Sequence, residues 1–116
     1  MRRIEATLDR PEVDAFGAKL IDMLSHAGIA LMTSIGHRTG LFDVLDRLEP
    51  AGSRRIAVEA GLSERYVREW LGAMVAGGVV EYDPADATYR FPAEHAARLD
   101  EPGGYDLITA FDAIHD

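Results

Sequence analysis

The stretch Ser53-Arg54-Arg55-Ile56-Ala57-Val58-Glu59-Ala60-Gly61-Leu62-Ser63 runs on to Tyr66-Val67 and Trp70-Leu71. Ala57 is small where two helices would cross, and Gly61 permits the turn between them. Ile56, Leu62, Val67 and Leu71 supply the apolar contacts. Ser53 is placed to cap a helix through Ala60, with Gly61 at its C-terminal cap. Ser63 is placed to cap the next helix, Glu64 to Ala76, which Gly77-Gly78 stops. Val67, Leu71, Met74 and Val75 face one way on that helix; Arg65, Arg68, Glu69 and Gly72 share another face. Two short strands are expected next, Val79 to Tyr82 and Thr88 to Phe91, with Tyr89 and Phe91 on one face. Asp83-Pro84-Ala85-Asp86-Ala87 supplies the turn between them.

Towards the N-terminus, Asp9 and Glu12 have capping-box spacing, with Pro11 in the first turn. The helix they open carries Val13, Phe16, Leu20, Met23, Leu24, Ala27, Leu31 and Ile35 at intervals of three and four. Ile29, Ala30, Leu31 and Met32 then point in all directions, and a helix apolar all round must be covered on all sides. A second subunit is expected to cover part of it. Phe16, Leu20, Met23, Leu24, Ala27, Leu31 and Ile35 are therefore the candidate dimer interface. Gly28 and Gly36 weaken this helix locally, which leaves room for a bend near Gly36. Leu41, Val44, Leu45 and Leu48 form the stripe of a short helix that Pro50 and Gly52 end. This order of elements is that of a winged helix-turn-helix. The fold class is mainly α with a small β-hairpin wing, preceded by a long N-terminal dimerisation helix. Pro92 to Leu99 reads as one more short helix, and Asp100-Glu101-Pro102-Gly103-Gly104 as a linker. Tyr105 to Phe111 is an apolar run suited to a strand buried on both faces. Residues 1–100 are thus expected to form one domain, with 101–116 a linker and a single strand.

Net charge and composition narrow the function. The 116 residues carry a formal charge of −8, which gives no long-range help in approaching phosphates. Between residues 51 and 78, Arg54, Arg55, Arg65 and Arg68 oppose Glu59, Glu64 and Glu69, a net of +1. Residues 79–100 have a net of −3, whereas a wing that lies on phosphates would usually be basic. Intrahelical or intersubunit ion pairs are the expected role of Arg65 and Arg68, and packing that of Trp70 and Tyr66. Cysteine is absent, so disulfides, zinc thiolates and Cys nucleophiles are excluded. His26, His37 and His95 lie on separate segments without metal-ligand spacing. His37 is expected at a helix end, where a cation meets the C-terminal dipole favourably. The charged start, Met1 to Arg10, is not a signal peptide. The most apolar run, Ala27 to Ile35, is about half the ~20 residues of a membrane span. No membrane association is expected, and a cytoplasmic location fits.

Two segments resemble a bacterial group of S-adenosylmethionine-dependent methyltransferases that carry an N-terminal winged helix-turn-helix and are often labelled transcriptional regulators. They are Ser34-Ile35-Gly36-His37-Arg38-Thr39-Gly40-Leu41-Phe42-Asp43 and Glu64-Arg65-Tyr66-Val67-Arg68-Glu69-Trp70-Leu71-Gly72-Ala73-Met74-Val75. The resemblance continues through Gly77 to Pro84 and Pro92 to Ala96. It implies a domain that dimerises and helps to wall a small-molecule substrate site, not one that binds DNA. Tyr105 to Asp116 resembles the fourth strand of the methyltransferase sheet and the loop after it. There Asp106, His115 and Asp116 match a pattern in which the His acts as general base on a substrate hydroxyl; an imidazole suits that task near neutral pH. The glycine-rich turn and ribose-binding acid of the cofactor site have no counterpart, since no Gly-x-Gly occurs in the chain. The resemblance therefore implies a family member with an internal deletion and a C-terminal truncation. S-adenosylmethionine belongs to the full-length family, and no cofactor is expected on this chain. On that reading His115 is a solvent-exposed terminal residue and the chain alone is inactive. The alternative is a small winged-helix transcriptional regulator reading DNA through Arg54, Arg55, Arg65 and Arg68.

Overall fold

The computed structural model describes residues 9–100. Five helices and one hairpin follow in order: α1 (Arg10–Thr39), α2 (Leu41–Arg47), α3 (Ser53–Ala60), α4 (Glu64–Ala76), β1 (Glu81–Asp83), β2 (Thr88–Arg90) and α5 (Ala93–Asp100). This is the winged helix-turn-helix, mainly α with a hairpin wing, behind a 30-residue N-terminal helix. The expected strand at Tyr105–Phe111 lies outside the described residues, as does His115.

Trp70 of α4 sits at the centre of the core, with none of its surface exposed. Its indole Nε1 donates to the Met32 carbonyl of α1 at 2.8 Å. Phe42 of α2 meets the indole edge-on at 5.3 Å between ring centres, and Phe91 lies 5.3 Å from Phe42 on its other flank. Leu41, Ile56, Val67, Leu71 and Met74 close the cluster, all buried to 0% exposure. Four helices and the residue after the wing therefore share one apolar centre.

Gly36 is the seat of the indole. A Cβ built there would lie 2.4 Å from Trp70 Cζ2 and 2.7 Å from Phe42 Cε2. α1 runs without a break in its helical pairing through Gly36 to Thr39. This glycine serves close packing, and the surrounding contacts hold the helix that its backbone freedom would loosen. Gly40, at φ 79°, then ends α1 in the left-handed conformation and lets α2 begin at once.

The helix-turn-helix follows the sequence closely, with local differences at its caps. Gly61 closes α3 in the left-handed conformation, and the Ser63 hydroxyl accepts from Tyr66 N at 3.3 Å. Ser53 does not cap α3. Gly52 takes the cap position, and Ser53 donates instead to Glu64 Oε2 at 2.5 Å, tying the first turns of α3 and α4 together. Asp9 takes the cap position of α1, but its side chain makes no capping bond.

The wing begins later than its apolar pattern suggests. Val79 and Val80 bond back to the Met74 carbonyl, at 2.9 and 3.2 Å, so pairing starts only at Glu81. Tyr82 faces Tyr89 in the register, and their rings are 4.8 Å apart. Ala51 adds an isolated antiparallel bridge to Tyr89. The turn holds Ala87 at φ 56°, while Asp83 Oδ1 accepts from Ala85 N at 2.9 Å. Burial and the neighbouring Tyr82 push the Tyr89 phenol above its usual range, with Arg68 opposing and Glu64 adding to the rise.

Three outcomes follow for purified chain unfolded in urea. Gly36→Ala lowers stability by about 1–3 kcal/mol, because overpacking outweighs the better helix former. Gly72→Ala is the control: it sits on α4 with nothing within 4 Å of a new Cβ, and it raises stability by up to about 1 kcal/mol. Ser34→Ala raises stability by about 1 kcal/mol, since Ser34 is 1% exposed and its hydroxyl has no hydrogen-bond partner among the described residues. A stability loss at Ser34→Ala, or a gain at Gly36→Ala, would contradict this packing. The Tyr89 shift has a definite sign. A phenol held protonated by the fold contributes stability below its unfolded pKa and loses it as pH rises through the folded value. Midpoints should therefore fall above about pH 10, and fall less in Tyr89→Phe.

Candidate functional site

The described residues offer two surfaces: the exposed half of α1 and the helix-turn-helix face with its wing. α1 is divided by burial. From Asp9 to Gly28 every residue is exposed apart from the half-buried Gly17, whereas Ile29, Met32 and Ile35 pack on the core and Ser34 and Gly36 are buried. The all-round apolar pattern at Ile29–Met32 is thus covered in large part by this chain's own core. The uncovered apolar surface lies earlier. Phe16 is 65% exposed, Met23 55% and Leu24 64%, with Leu20 and Leu31 also exposed. Ala27 is exposed as well, while Ile35 turns inward. Val13 and Ile21 belong to the same surface and escaped the sequence reading of the interface.

Between α1 and α4, on a different side of α1 from that stripe, lies a groove of about 680 Å³, lined by Ser25, His26, Ile29, Met32, Ala73 and Gly77. Small residues on α4 keep it open; a Cβ on Gly77 would come within 3.0 Å of the Ile29 side chain. α1 is also the helix among the described residues long and apolar enough to cross a membrane, by length and composition, with an 18-residue window of mean hydropathy 1.2. Lys19, Asp22 and His26 interrupt its middle, and Asp22 and His26 lie 3.6 Å apart.

The helix-turn-helix face carries the four arginines of the DNA reading. Arg65 pairs with Glu69 at 3.6 Å, Arg68 with Glu64 at 3.3 Å and Arg55 with Glu59 at 3.4 Å. Arg54 is exposed at the start of α3. Exposed i,i+4 pairs of this kind contribute a few tenths of a kcal/mol, roughly, and leave each arginine shared with a carboxylate. On the wing, Arg90 pairs with Glu81 across the strands, and Asp83 and Asp86 are exposed beside them. The local field there is acidic.

In the doubly wound sheet that the family resemblance implies, S-adenosylmethionine sits at a glycine-rich turn between a parallel strand and a helix. The only strands among the described residues form an antiparallel hairpin, and the glycines lie within helices, at their caps or in the helix-ending turn Gly77-Gly78. These residues do not fit the cofactor. Among them no group of three or more His, Asp or Glu is placed to hold a metal ion.

Comparison with solved structures finds this architecture in much longer chains. "Mitomycin 7-O-methyltransferase MmcR" superposes with a TM-score of 0.69 at 21% identity over 83% of this chain. The S-adenosylmethionine-dependent methyltransferase SibL in its apo form gives 0.67 at 22% over 81%. "PigF with SAH" gives 0.69 at 27% over 82%. In each case the match spans 28% of the other chain, so this protein has about a third of the length of those structures. Comparison with curated protein sequences gives no match. A family model described as the Rv2258c-like winged HTH domain matches residues 27–101. That span holds the buried end of α1, the helix-turn-helix, the wing and α5, and the chain belongs to this winged-helix family.

Proposed function

We propose that the chain is the dimerisation and substrate-lid module of an S-adenosylmethionine-dependent methyltransferase, working in the cytoplasm as a homodimer. The observation that carries the reading is the exposed apolar face of α1 from Val13 to Leu24. Isolated helices are marginal in water unless an apolar face is packed. Exposed apolar patches of this extent mark interaction surfaces. The likeness of the fold to methyltransferases supports the catalytic context. The methyl acceptor would be a small molecule walled in part by this domain, and the cofactor would be held by residues of another domain.

Other partners for α1 are less favoured physically. A lipid environment would set Lys19 and Asp22 in hydrocarbon, at roughly 2.5–3.5 kcal/mol each near the centre of a span. DNA would meet arginines already shared with carboxylates and an acidic wing.

Light scattering at micromolar concentration should give twice the chain mass of 12.7 kDa. Leu20→Glu together with Leu24→Glu should halve that mass while leaving Trp70 fluorescence native, because neither residue reaches the core. A monomeric wild-type chain would overturn the dimerisation reading. For nucleic acid, a gel shift at physiological salt should show no sequence-specific complex; one that Arg65→Ala and Arg68→Ala abolish would favour the regulator instead.

A further inference from the structure

We infer that a small cavity between α1, the base of the wing and α5 is a binding site for a neutral, single-ring molecule bearing a hydroxyl group. The cavity measures about 270 Å³, and Val79, Phe91 and Leu99 supply its mostly apolar lining. The pocket is open to solvent, and its volume, just below the ~300 Å³ at which ordinary ligand sites begin, suits one ring. Thr33 and His95 add the polar groups that would orient a ligand, and both are committed in a way that fixes what they can offer.

The Val79 carbonyl can only accept, and it lies 2.8 Å from His95 Nδ1. Nδ1 therefore carries the hydrogen, and in the neutral ring Nε2 keeps a lone pair. The Thr33 hydroxyl donates to the Ile29 carbonyl at 2.8 Å, so its oxygen also has only lone pairs to give. Arg98 lines the same cavity but already has a partner. Thr33 and His95 thus present two acceptors beside the apolar lining. A ligand hydroxyl can donate to one of them; a carbonyl or carboxylate can accept from neither. Phe91, held 5.3 Å from Phe42, gives the ring a fixed aromatic neighbour.

Phenol, toluene and benzoate titrated into the isotope-labelled full chain test this by NMR. Phenol should shift the amides of Thr33 and Val79 saturably, and a long-range proton–nitrogen spectrum should show the His95 ring protonated at Nδ1 and perturbed at Nε2. Toluene should bind about tenfold more weakly, the loss of one hydrogen bond. Thr33→Val and His95→Phe should each weaken phenol and leave toluene unchanged. Equal affinity for phenol and toluene, tighter binding of benzoate, a shift pattern away from these residues, or a ring protonated at Nε2 alone would overturn the inference. Should His95→Phe fail to fold for want of its bond to Val79, Thr33→Val and the wild-type ring spectrum still decide.

Discussion

The contact between Gly36 and Trp70 is the constraint on which the rest of the domain depends. A large indole is placed against a helix that lacks a side chain at that point, with no room for even a methyl group. The same ring is fixed by its bond to the Met32 carbonyl, one turn earlier on α1. Phe42, brought in by the left-handed Gly40, closes its edge. One side chain of α4 thus sets the position of α1 and α2, and through Phe42 and Phe91 it reaches the end of the wing. Close-packed interiors transmit such constraints because they have few voids in which to relax.

This anchoring gives α1 two different halves. From Ile29 onward it is a core helix of its own domain; before that it projects with apolar residues in water. Thirty helical residues span about 45 Å, more than a domain of this size needs for internal packing. A rigidly held stem and an uncovered apolar lever are what a helix joining two copies requires. The acidic character of the wing and the shared arginines of α3 and α4 agree with a protein-facing role for the remainder.

Much of the fold was legible in the sequence. Gly61, Ser63 and the pair Gly77-Gly78 mark helix boundaries through backbone chemistry that acts locally, and α4 begins and ends where they place it. The four 3–4 spaced residues Leu41, Val44, Leu45 and Leu48 gave α2 for the same reason. The role of Gly36 as a seat for Trp70 was not legible, because a local reading of glycine shows only that it loosens a helix, and its partner lies 34 positions later. The wing was drawn too early because Val79 and Val80 look like strand residues, yet their amides are taken by the end of α4. Ser53 has cap chemistry, but Glu64 is a better partner across the turn. For the candidate interface, periodicity found Phe16, Leu20, Met23 and Leu24 but could not separate residues uncovered in the fold from Ile35, which the core takes. The cavity beside His95 left no trace in the sequence, since its walls come from α1, the wing and α5.

The most direct measurement is an isotope-filtered nuclear Overhauser experiment on a mixture of labelled and unlabelled chain. The proposed dimer predicts contacts between chains from the Phe16 ring and the Leu20 and Leu24 methyl groups. It predicts none from Trp70, which is enclosed in its own core. Absence of contacts between chains at Phe16, Leu20 and Leu24, or contacts confined to the wing, would contradict it.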